Sequence, residues 1–71
     1  SVDQAFKELR THDYGQSDKA LHVIRLHVVR FATDPARKAE MADRLAAFLA
    51  DAKASQAVKT FVCQQLLIQC F

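Results

Sequence analysis

Seventy-one residues suffice for one domain, near the lower size limit at which a single core holds without staples. Hydrophobic residues make up 51% of the chain, with one glycine and one proline, which favours close-packed helices and leaves no strand candidate. The net charge of +2 is spread too evenly to argue for nucleic acid from composition, and no stretch resembles a signal peptide or approaches the roughly 20 apolar residues of a membrane span.

Ser1-Val2-Asp3-Gln4 fits a capping box and predicts a helix start. Val2, Ala5, Phe6 and Leu9 then form one apolar stripe, while Asp3 and Lys7 are spaced to pair on the wet side. The stripe stops after Leu9, and Gly15, the only glycine, is expected to close this helix. Ser17 is the expected cap of a second helix, whose main apolar face carries Leu21, Ile24, Val28, Phe31 and Ala32. Val23, Leu26 and Val29 fall elsewhere on that helix, which is expected to meet a second pair of helices as well.

Thr33-Asp34-Pro35 ends one helix and begins the next, with Asp34 as cap and Pro35 in the first helical position. The third helix places Met41, Leu45, Phe48, Leu49 and Ala52 on one side. Asp34 with Lys38, Arg37 with Glu40 and Glu40 with Arg44 are spaced for surface pairs worth about 0.2 to 0.5 kcal/mol each. Ser55 caps a fourth helix running to the end of the chain. Its residues Val58, Phe61, Val62, Cys63, Leu66, Leu67, Ile68, Cys70 and Phe71 spread around most of the circumference, so it is expected to be innermost, sheltered on several sides. Helices two and four are expected to line the core. The run Gln69-Cys70-Phe71 carries no stop signal, which leads to the expectation that the chain is a piece of a longer protein or that a partner covers this end.

The polar residues offer little chemistry. Cys63 and Cys70 lie seven apart on one helix, about 10.5 Å between Cα atoms, too far to bridge each other, and are expected as buried thiols without a neighbouring base. His22 and His27 are about 140° apart around their helix and cannot share an ion; the three histidines, His12 included, are expected at the surface or rim. Asp34, Glu40, Asp43 and Asp51 are accounted for as caps and surface pairs, and no glycine-rich phosphate loop is present. Catalytic, metal and cofactor sites are therefore not expected. Lys19, His22, Arg25, His27 and Arg30 give the second helix a positive excess. They divide into two groups on the wheel, as solvated flanks do, and lack the interleaved aromatic residues that would stack bases.

The two predicted helix pairs, about residues 2–33 and 35–71, follow one another at solenoid-like spacing. The second, with LAAFLAD followed by AVKTFVCQQL, resembles a HEAT repeat through Leu45 and Leu49, the turn residue Asp51, the opening Val58-Lys59, and Val62, Cys63 and Leu66. Most of the chain looks like HEAT-like segments of large multidomain bacterial exported proteins, where they accompany a catalytic domain elsewhere in the polypeptide. The ending Gln69-Cys70-Phe71 departs from the glycine-closed end usual in such units. The resemblance implies a right-handed stack of two antiparallel helical hairpins that holds other protein surfaces, in an exported or periplasmic protein.

The expectation is an all-α chain of four helices acting as a non-catalytic scaffold or protein-interaction module. Its partner would be another protein or the rest of its own polypeptide, met through Leu67, Ile68, Cys70 and Phe71. A weaker candidate surface is the basic face Lys19, His22, Arg25 and Arg30. The alternatives are a bundle that self-associates through its fourth helix and a small basic nucleic-acid-binding domain.

Overall fold

A computed structural model describes residues 1–70. Four helices follow in order, α1 (Val2–Leu9), α2 (Lys19–Arg30), α3 (Pro35–Leu49) and α4 (Gln56–Cys70), with no strand among the described residues. Two of the helices pack as a first hairpin, α1 on α2, and the other two as a second, α3 on α4; the hairpins join where α2 meets α4.

The helix starts follow their capping chemistry. An α-helix leaves its first amides unpaired, and a side-chain oxygen one residue ahead can accept from them. Ser1 Oγ accepts from the Gln4 amide at 3.3 Å, Asp34 Oδ1 from the Arg37 amide at 3.2 Å, and Ser55 Oγ from the Val58 amide at 3.2 Å. Pro35 stands at the start of α3, where its missing N–H is no loss. At α2 the capping position is Asp18, whose side chain makes no cap bond, while Ser17 Oγ accepts from the Lys19 amide at 3.3 Å.

Gly15 does not close α1. That helix ends at Leu9, and its last turn is finished by the Thr11 and His12 amides donating to the Glu8 and Leu9 carbonyls at 3.3 and 3.2 Å. Gly15 sits further along the connector at φ +85°, where only the backbone angle asks for glycine, since open space surrounds it. The connector is tied to itself by Gln16 Oε1 accepting from the Asp13 amide and Asp13 Oδ1 from the Tyr14 amide. It is tied to the second hairpin by Ser55, whose hydroxyl donates to the His12 carbonyl at 2.7 Å. His12, expected at the rim, is consequently buried.

All four helices contribute to the core. Leu9, Ile24, Leu45, Val58 and Val62 are fully buried, with Phe6, Val28, Met41, Phe48 and Phe61 around them. The expected face of α2 is only partly covered: Leu21 and Phe31 are half-buried and Ala32 is exposed, as are Leu49 and Ala52 beyond the buried part of α3. The larger correction concerns α4. It is sheltered by α2 and α3 along Ala57, Val58, Phe61, Val62 and Gln65, while Cys63, Gln64, Leu67, Ile68 and Cys70 face outward. Four helices in two hairpins give α4 only two large neighbours, so its opposite flank is wet.

Side chains also bridge α1 and α3. The Phe6 and Phe48 rings stack with centroids 6.2 Å apart, Arg44 lies 4.1 Å over Phe6, and Arg44 Nη1 meets Asp3 Oδ1 at 2.8 Å. Asp3 thus pairs across the hairpins and not with Lys7, and Arg44 with Asp3 is the one ion pair among the described residues. At the other end Gln69 Nε2 donates to the Lys38 carbonyl at 3.1 Å, tying the end of α4 to the start of α3.

Gln65 is 1% exposed, and its Oε1 has no hydrogen-bond partner among the described residues. A buried unpaired acceptor costs about 1 to 3 kcal/mol, so Gln65→Leu is expected to raise stability by about 1 to 2 kcal/mol, read as a higher urea midpoint at unchanged m-value. Ser55→Ala removes a helix cap and leaves the His12 carbonyl unpaired. It is expected to lower stability by about 1 to 3 kcal/mol in the same titration.

Candidate interaction surface

The register of α2 against α4 decides which side chains share a surface. The Arg25 guanidinium lies 5.8 Å from the centre of the Phe61 ring, and Leu21 and Arg25 share a recess of about 230 Å³ with Ala57, Phe61 and Gln64. Arg25 is thus level with Phe61, and because the head of α4 is tied to the connector before α2 (Ser55 to His12) and its tail to the start of α3 just beyond α2 (Gln69 to Lys38), the two helices run side by side in the same direction. One turn further on, Val29 comes level with Gln65. Helical periodicity then places Leu26 and Val29 on the same outer side of this layer as Gln64 and Leu67, with Ile68 leaning toward α2.

These aliphatic side chains are open to solvent: Leu26 is 55% exposed, Val29 60%, Leu67 60% and Ile68 42%. Single exposed apolar residues are ordinary, but four on neighbouring helices are not scattered. Of the residues expected at the open end, Leu67, Ile68 and Cys70 are exposed, and Phe71 lies outside the described residues. Leu26 and Val29 belong with them. Sequence periodicity had set both off the main face of α2 and assigned them to a packing role, which the structure does not give them. Helix α4 covers the flank of α2 that carries Leu21, Arg25 and Val28 and leaves the outer side bare.

The basic residues Lys19, His22, Arg25 and Arg30 are all exposed. Arg25 is held against Phe61, and none of the three cations has a carboxylate within 4.0 Å among the described residues. His27, half-buried, has Nδ1 2.8 Å from the Val23 carbonyl and its ring edge-on to Phe31 at 5.6 Å.

Two other places gather polar side chains. A groove of about 690 Å³ between α1 and α3 is bordered by Asp3, Lys7, Arg10, Arg44 and Asp51, and floored by Phe6 and Phe48. The aromatic floor is sealed by Arg44, which Asp3 holds in place. The recess beside Arg25 is also bordered by His12, Asp13 and Asp18, of which the Asp13 carboxylate accepts from the Tyr14 amide and the His12 carbonyl from the Ser55 hydroxyl. No group of three or more His, Cys, Asp or Glu side chains is placed to hold a metal ion among the described residues.

The thiols correct the sequence reading. Cys63 and Cys70 are free and exposed, on the flank of α4 that faces away from its two neighbours. Among the described residues, no helix is long and apolar enough to cross a membrane. Comparison with protein-family models, curated proteins and solved structures returns no match.

Exposed thiols predict fast labelling. Both cysteines are expected to react with Ellman's reagent in the folded chain, and Cys63→Ser with Cys70→Ser to change stability by no more than about 0.5 kcal/mol per site. Protection of either thiol until denaturant is added would contradict the exposure of that flank.

Proposed function

We propose that this four-helix chain is a non-catalytic scaffold or protein-interaction module of HEAT-like type, working within a larger multidomain bacterial polypeptide that is exported. The observation that carries the reading is the group of exposed aliphatic side chains, Leu26, Val29, Leu67 and Ile68, on the adjoining helices α2 and α4. Water-exposed aliphatic surface on a small domain is a liability unless something covers it. The HEAT likeness draws support from the two consecutive hairpins and from Leu45, Val58 and Val62, repeat-pattern residues that are fully buried. Leu49 and Cys63 of the same pattern are exposed.

A photo-crosslinking residue in place of Leu67, compared with one in place of the exposed Glu40 on α3, tests the reading in the native cell. The expected result is a discrete protein adduct, or an internal crosslink to another part of the same polypeptide, from position 67 and none from position 40. Equal labelling at both positions, or none at 67, would overturn it. An adduct of twice the chain's mass would replace it with self-association.

A further inference from the structure

Taken helix by helix, α2 alone shows a clear positive excess, and packing then sorts the charges by layer. Helices α1 and α3 are balanced, with Asp3, Glu8, Glu40 and Asp43 against Lys7, Arg37, Lys38 and Arg44. Helices α2 and α4 contain Lys19, Arg25, Arg30 and Lys59 and not one carboxylate. The nearest acidic residues along the chain, Asp18 and Asp34, stand just before α2 and α3 at the two ends of this layer. The layer with cations only is also the layer with Leu26, Val29, Leu67 and Ile68 exposed.

The geometry points to the outer face of α2 and α4 as the docking site of an acidic, amphipathic helical segment of a partner protein. This rests on the interaction-module reading and names the partner's chemistry. The aliphatic residues lie along two parallel neighbouring helices, whose shared valley suits an apolar stripe on a third helix. The cations on and beside that face have no carboxylates of their own to satisfy them, so Asp or Glu flanking the incoming stripe finds partners and steers the encounter.

The same facts argue against other occupants. A second copy docking face to face would set Lys19, Arg25 and Arg30 against their own kind, with no carboxylate on α2 or α4 to oppose them. Nucleic acid would meet the cations but offers a phosphate backbone to four aliphatic side chains, and no exposed aromatic residue of α2 or α4 is present to stack a base. A bilayer surface is usually met by Trp or Phe anchors, which this face lacks among the described residues.

The test uses the 71-residue chain and a fluorescein-labelled helical peptide of about 15 residues, with leucines on one face and glutamates on its flanks. Its twin carries lysine in place of every glutamate; phosphatidylserine vesicles and a short DNA duplex complete the set. In fluorescence anisotropy the acidic peptide is expected to bind at least about tenfold more tightly than its twin and to weaken as salt rises to physiological strength. Leu26→Asn with Leu67→Asn should weaken it by about tenfold or more with unchanged circular dichroism, and Lys19→Glu with Arg30→Glu should abolish the preference for the acidic peptide. Equal affinity for the two peptides would overturn the acidic assignment while leaving the interaction-module reading standing. Binding to neither peptide would overturn the docking site itself, with the crosslinking result still deciding the broader reading. Tighter binding to the duplex or the vesicles than to the acidic peptide would overturn it in favour of that ligand.

Discussion

Each hairpin of this chain has one apolar face and too little mass to bury it alone, so the structure depends on the two faces closing on each other. Leu9 and Ile24 come from the first hairpin and Leu45, Val58 and Val62 from the second, and all five lose their whole surface to the contact. Burying side chains of this size is worth about 1.5 to 3 kcal/mol each. The polar ties between hairpins act differently. Arg44 with Asp3 is a largely exposed pair, worth at most about 1 kcal/mol, and its consequence is register: it sets α1 beside α3 so that Phe6 stacks on Phe48. Ser55 does the same at the other end, fixing the α1–α2 connector over the start of α4.

The closing fixes what remains open. A helix in a two-hairpin stack has its hairpin partner on one side and its counterpart in the other hairpin on the next, and for α4 these are α3 and α2. Nothing in four helices reaches its outer flank. Apolar residues placed there, Leu67 and Ile68 with the exposed thiols Cys63 and Cys70, contribute nothing to the core. One polar residue makes the opposite error: Gln65 faces the core with an unpaired carbonyl oxygen, although position 65 lies on the buried stripe. Alternation of this kind explains why α4 reads as apolar nearly all round while packing on one side only.

Local chemistry was legible in the residues. Ser1, Asp34 and Ser55 cap the helices they precede, and the four-helix, two-hairpin arrangement follows from periodicity and punctuation. What was not legible depends on contacts between distant parts of the chain. Asp3 and Lys7 are correctly spaced to pair, but Arg44, 41 residues away, holds the aspartate because it also covers the Phe6 ring. His12 carries no sequence signal of burial, since what covers it is the connector folding against Ser55. Gly15 reads as a helix stop because glycine often is one, whereas α1 ends earlier, where its apolar stripe runs out. The cysteines were misjudged because free thiols are usually buried, and periodicity alone does not show which flank of an apolar helix lacks a neighbour.

Charge shows the same dependence on packing. Along the sequence the second helix shows a positive excess, but the even overall balance gives no argument for a nucleic-acid partner. Packing α2 beside α4 joins two segments that each lack carboxylates and are separated in the chain by the balanced α3. A cation in water on an isolated helix has little consequence, because dissolved salt near physiological strength screens it within about 10 Å. Cations gathered on a layer that also exposes aliphatic surface are different: a partner that covers the apolar part excludes water beside them and strengthens whatever opposite charge it brings. Apolar coverage and acidic charge are thus coupled requirements on one partner, and neither can be read from any single helix.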